Sequence, residues 1–270
     1  MNLSEIKAKT ASSTAGIFHP LSRLALMVSC MVFSMTAVAS ASTIQPRIIT
    51  FDQNGYVHGS VIDWAGLPGE GTRLRVNNRQ QDFNYAVTFD SEATGTADPN
   101  LEAPWSGGNI QGETLDLMLI IQGDDAGCQT GVCTTPLAEA AEPAGNITFF
   151  LDTPASSFGM DLIDIREGDN GYIRFYPEDN WGNFVTIEFD ELLEGLSLGA
   201  NFANRIDPIT AQSVGLGQFS RVTLKFYQSA AVDNLTYVPV PEPATAFLLG
   251  SGLVLLTLSR RKAGKPEPAR

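Results

Sequence analysis

The sequence predicts an all-β protein: a single jelly-roll-like β-sandwich, flanked by an N-terminal signal peptide and a C-terminal transmembrane helix. Three observations lead there. Short runs rich in Val, Ile, Phe and Tyr alternate apolar with polar along the middle of the chain. Gly, Asn, Asp and Pro punctuate them, and no long segment of helical period intervenes. Of 270 residues, roughly 200 remain once the ends are set aside, enough for one core and one domain.

Residues 1–41 read as the signal peptide. Lys7, Lys9 and Arg23 precede the apolar run 24–38, and either Ala37-Val38-Ala39 or Ala39-Ser40-Ala41 fits the cleavage site. The run is short for a bilayer core of about 30 Å. Cys30 is followed by apolar residues through Val38, not by the polar linker that a lipidated Cys leads into.

Residues 42–238 form the β domain. Runs 47–51 and 56–62 read as an opening strand pair around the turn Asp52-Gln53-Asn54-Gly55. Run 84–89 alternates cleanly, and 114–122 is the most apolar strand and the expected centre of the sheet. Strands at 146–151, 157–165 and 172–176 follow. A turn at Asp179-Asn180-Trp181-Gly182-Asn183 leads into 184–189, and 221–227 and 231–238 close the domain. Three longer stretches, 91–112, 123–145 and 195–218, read as loops, the last with a short turn of helix. Loops of that length in a compact domain carry function or move.

Residues 239–262 are a membrane and sorting segment, and 263–270 a short cytoplasmic tail. The run 244–259 holds no charge and spans about 24 Å as a helix, a marginal crossing. Val240-Pro241-Glu242-Pro243 stands before it, and Arg260-Arg261-Lys262 marks a cytoplasmic stop after it. Pro-Glu-Pro, a Gly-containing apolar helix and a basic end resemble the PEP-CTERM sorting signal of Gram-negative bacteria. The resemblance implies Sec-type export, anchoring in the inner membrane, and an exosortase-type membrane protease that passes the body to the cell surface or extracellular matrix. Residues 263–270 depart from the pattern, since such signals end close to the basic cluster. The stretches FDSEATGTADPNLEAP, GNIQGETLDLMLIIQ, FGMDLIDIREG, NRIDPITA and SAAVDNLTY resemble the bodies of exported PEP-CTERM proteins, which are mostly uncharacterised and predicted as carbohydrate-binding-like jelly rolls.

Charge narrows the partners. Between residues 43 and 241 there are nine Lys and Arg against 27 Asp and Glu, a balance of −18. Such a surface repels nucleic acid and anionic lipid, and suits a solvated extracellular protein or one that holds divalent cations. Cys128 and Cys133, with four residues between them and Gly127 beside them, are expected to form a disulfide in an exported chain.

Catalytic residues are not expected. His58 is the one histidine of the mature chain, and Gly195-Leu196-Ser197-Leu198-Gly199 lacks the strand-turn-helix context of a nucleophile elbow. Structural calcium is the inorganic expectation, since it takes six to eight oxygens from loop carboxylates, amides and carbonyls. Asp90, Asp98 and Asn100, with Asp233 and Asn234, are its candidate donors. In a jelly roll the first and last strands can lie side by side, which adds Asp52; Asp124 and Asp125 are a second candidate. Trp64, Trp105 and Trp181 stand in loop-like contexts and are the candidate platforms for a sugar, although a Trp capping the core is the plainer reading. The function expected is non-catalytic surface or matrix binding, with extracellular polysaccharide as a partner. A secreted polysaccharide hydrolase and a purely structural surface protein are the alternatives.

Overall fold

The computed structural model describes residues 44–240, apart from 53–54, 64–66, 68–70, 126, 129–130, 170 and 178–181. Residues 1–43, which include the expected signal peptide, and everything after Val240 lie outside the described residues. Among the described residues there are eleven strands. β1 (Arg47–Ile49), β2 (Val61–Ile62), β3 (Arg73–Asn78), β4 (Ala86–Asp90) and β5 (Leu117–Ile121) precede the 19-residue β6 (Gly145–Ile163). Then come β7 (Tyr172–Tyr176), β8 (Val185–Glu188), β9 (Ala203–Thr210), β10 (Phe219–Phe226) and β11 (Ala231–Pro239), with one short helix, α1 (Phe189–Leu192), after β8. No helix among them is long and apolar enough to cross a membrane.

The strands form one open antiparallel sheet in the order β2-β4-β5-β11-β6-β10-β7-β8, with β1 added to β11 and both β3 and β9 added to β6. β6 organises it. Its first half lies between β3 and β10, its second between β9 and β11. Ile147, Phe149 and Leu151 in the first half, and Phe158, Met160 and Leu162 in the second, all belong to the main core cluster. Alternation puts odd and even residues on opposite faces, so the parity must switch between them. It does so at a bulge: Ala155 faces Pro239 and Ser157 faces Val238, leaving Ser156 as the extra residue.

β5 is central, between β4 and β11, and all five of its residues, LMLII, are buried. Continuous apolar runs mark strands covered on both faces. Leu117, Leu119 and Ile121 join the main core; Met118 and Ile120 join a second cluster with Val87, Phe89 and Ile163. Leu101, Trp105, Ile110 and Leu115 from one long loop and Cys133 and Ala138 from another join that second cluster, with Ala203 and Ala231. The two loops between β4 and β6 are therefore a covering layer, and each large side chain buried there is worth about 1.5–3 kcal/mol.

Four expectations change. The opening pair is not a hairpin: β1 pairs with β11 and β2 with β4. Runs 146–151 and 157–165 are one bent-register strand. β3 was not expected, and β9 lies inside the presumed 195–218 loop, where the bulge opposite Phe158 and Met160 accommodates Pro208.

Candidate functional site

The adjacency of first and last strands is present: Ile49 pairs with Leu235. β5 pairs with the start of β11, at Ala231 and Val232, and β1 with its later part. The two neighbours meet beside Asp233 and Asn234, where β11 carries a bulge against β6 and Asn234 takes φ 48°. Asp52 follows β1 and accepts a hydrogen bond from the Leu117 amide at 2.7 Å.

Asp233 is 1% exposed, and its Oδ1 has no hydrogen-bond partner. Burial raises its pKa well above the ordinary value, and the charges of Asp52, Asp161 and Asp116 push it the same way. Burial likewise raises Asp52. Asp161, Cα partner of Asp233, is also buried but fully served. Arg205 donates to both its oxygens at 2.9 and 3.0 Å, and Asn234 Nδ2 donates at 2.9 Å. Arg205 reaches on to Glu113 at 2.8 Å. An open groove of about 330 Å³ runs past Ile48, Asp161, Arg205, Pro208, Asn234 and Thr236.

Of the expected calcium donors, Asp52, Asp90, Asp233 and Asn234 come to this neighbourhood. His58 adjoins it, its Nδ1 accepting from the Asp90 amide at 3.0 Å and its pKa lowered by burial. Asp116 and Asp161 join it, and their positions in sequence carried no signal. Among the described residues, however, no three or more His, Cys, Asp or Glu converge as a metal-holding group. Asp52 accepts from the Leu117 amide, and Asp161 from Arg205.

Asp98 and Asn100 lie elsewhere. Asp98 Oδ2 accepts from Ser229 Oγ at 3.2 Å and from the Ala138 amide at 3.3 Å, inside the second core layer. Asp164, just past β6, is completely buried and within reach of the same Ser229. Burial is the main cause that pushes its carboxyl up to about 6, against relief from Arg166 at 3.4 Å and the Asn201 amide at 3.2 Å. Asp98 is raised by burial too. Asn100 takes part through its carbonyl, which accepts from Asn201 Nδ2 at 3.1 Å.

Trp105 is 2% exposed within the second core cluster, so its ring packs the loop layer onto the sheet and presents no face to a ligand. Trp64 and Trp181 lie outside the described residues, as do Pro241, Glu242, Pro243, Arg260, Arg261 and Lys262. Val240 donates to the Pro154 carbonyl at 2.7 Å. Cys128 and Cys133 are joined by a disulfide, close to the exposed Asp124 and Asp125. The neighbouring Gly59 has φ 86°, and a Cβ there would collide with the Cys133 carbonyl.

No family model, curated protein or solved structure matches the chain.

Proposed function

We propose that the chain is an exported, non-catalytic binding protein of the surface or extracellular matrix, sorted by an exosortase-type protease and recognising extracellular polysaccharide. Its body, residues 42–238, is read as a jelly-roll-like β-sandwich, delivered by the signal peptide of residues 1–41. The observation that carries this reading is where the body stops. β11 ends at Pro239 and Val240 is still tied to Pro154, so Pro241-Glu242-Pro243 begins directly at the end of the last strand. A protease acting at the tail would release an intact sheet. The strongly acidic balance of the body suits a hydrated surface.

Expression in a Gram-negative host that carries an exosortase tests it. The wild-type chain should be recovered from the surface or medium without its tail and should co-purify with secreted polysaccharide. Replacing Pro241, Glu242 and Pro243 by Ala should leave the full-length chain in the inner membrane. Release independent of the motif sinks the sorting reading. Liberation of reducing ends from the polysaccharide would establish the hydrolase instead.

A further inference from the structure

One face of the β3-β6-β10-β7-β8 region is unlike the rest of this acidic chain. Val76, Phe149, Phe175 and Leu224 point into the main core, so the alternate residues take the other face. Strand register sets those residues in three rows. The first runs Arg73, Phe150, Arg221, Tyr176. The second runs Arg75, Thr148, Thr223, Arg174, Thr186, and the third Asn77, Asn146, Lys225, Tyr172, Glu188. Five of the nine Lys and Arg between residues 43 and 241 stand in these rows, against Glu188 alone among the Asp and Glu of the described residues. A face shaped only for solubility on so acidic a body would not segregate its cations in this way.

Aromatic rings hold several of these cations. The Arg174 guanidinium lies 4.1 Å from the Tyr172 ring centroid and 4.4 Å from that of Phe184, and its Nε donates to Thr186 at 3.1 Å. Lys225 Nζ is 4.4 Å from the Tyr227 ring and 5.5 Å from Tyr172. The Arg221 guanidinium stacks on Tyr176 at 3.8 Å. A ring fixes the orientation of a guanidinium above its face. Thr148, Thr223 and Arg221 are buried in the middle of the rows; Arg73, Arg75 and Phe184 are exposed, and Tyr172, Arg174 and Lys225 half-buried. At the β3 edge a cavity of about 380 Å³ opens beside Arg75, Asn77 and Asn84. Five strands spaced about 4.8 Å apart span about 19 Å, the scale of an oligosaccharide and not of a single sugar.

We propose that this face binds an acidic polysaccharide of the uronate type. Arg75, Arg174 and Lys225 take its carboxylates, and Tyr172 and Phe184 stack on its sugar rings. The charge of the face selects an anion, planar guanidiniums match carboxylates, and the exposed Phe184 and half-buried Tyr172, beside Asn and Thr, suit a hydroxyl-rich chain. This rests on the polysaccharide reading above and names the substrate class and the surface.

The test titrates the full chain, purified in detergent, with fluorescent alginate oligosaccharide, dextran of equal length and poly-glutamate. Alginate should bind at least tenfold more tightly than either, and added NaCl should weaken it. Arg75→Glu with Lys225→Glu should cut alginate affinity at least tenfold at an unchanged thermal midpoint. Phe184→Ala, at the exposed rim, should cut it at least threefold and decides the matter if the double variant unfolds. Alginate binding that survives these changes overturns the face. Equal binding of poly-glutamate overturns the sugar and points to an acidic peptide. Dextran binding with no preference for alginate overturns this inference and leaves the polysaccharide reading standing, whereas no binding of either glycan overturns both.

Discussion

Asp164→Asn removes the most deeply buried titrating group whose pKa the structure places near 6. Asp164 is completely buried at φ 61°, the left-handed region where Asn and Asp are the best tolerated side chains after Gly. Burial first, and the nearby Asp98 more weakly, push its carboxyl from 3.8 to about 6. The folded protein therefore holds this proton through a pH range in which the unfolded chain has lost it. Stability contributed by the protonated form is complete below about pH 4 and is lost as the pH rises through 6, the reverse of a salt-bridged carboxylate. Two pH units at about 1.4 kcal/mol each make the fall about 3 kcal/mol. Asn keeps the size, the backbone preference and an oxygen for the Asn201 amide, but does not titrate. The advantage of the variant over wild type should thus grow by about 3 kcal/mol between pH 4 and pH 7.5. For a domain of this size that corresponds to about 6–12 °C in thermal midpoint. Thermal unfolding followed by circular dichroism at half-unit pH steps measures it. Parallel midpoint curves for the two proteins would show that Asp164 titrates as an ordinary carboxylate and that its burial costs nothing.

Asp233→Asn should raise the thermal midpoint at pH 7.5, because it replaces a carboxyl whose ionised form burial and the charges of Asp52, Asp161 and Asp116 disfavour by a neutral amide, and calcium should leave the wild-type midpoint unchanged. A calcium-dependent rise that the variant loses would instead assign a metal to Asp233. Trp105→Ala should cost about 3–5 kcal/mol in denaturant unfolding, while leaving alginate affinity unchanged below its midpoint; a selective loss of sugar binding would return Trp105 to the ligand. Gly108→Ala should destabilise by more than about 3 kcal/mol, since φ is 97° and the new Cβ would strike the Ala203 carbonyl and backbone. An unaltered midpoint would mean that the 91–112 loop is free to shift away from β9.

What the sequence revealed follows how local each cue is. β5, β7 and β11 declare themselves through their own apolar residues, and the adjacency of β1 and β11 follows from the expected fold. The false opening hairpin shows the limit. A good turn at residues 52–55 is a local preference, but β1 finds its partner about 190 residues away, and alternation says which residues face inward without naming the neighbour. β9 hid behind Asp207 and Pro208, which only a bulge can admit.

Trp105 is more instructive, because its burial was legible from a different residue. The unbroken LMLII of β5 already requires cover on both sheet faces, and only the long loops, with Leu101, Trp105 and Ile110, had apolar side chains to supply it. The same accounting exposes the basic face. In RLRVNN, Leu74 and Val76 are the only apolar residues, too few to announce a strand, yet they alternate with Arg73 and Arg75. Once β3 is set against β6, those two arginines fall into line with Arg221 and Arg174, from strands about a hundred or more residues later. The charge of the chain as a whole argues against an anionic partner, and the register shows that this average conceals rows in which five of the nine cations stand together. Net charge governs solubility and long-range repulsion; binding is decided within a Debye length of about 8–10 Å, where the ligand meets rows of side chains and not the average of the chain.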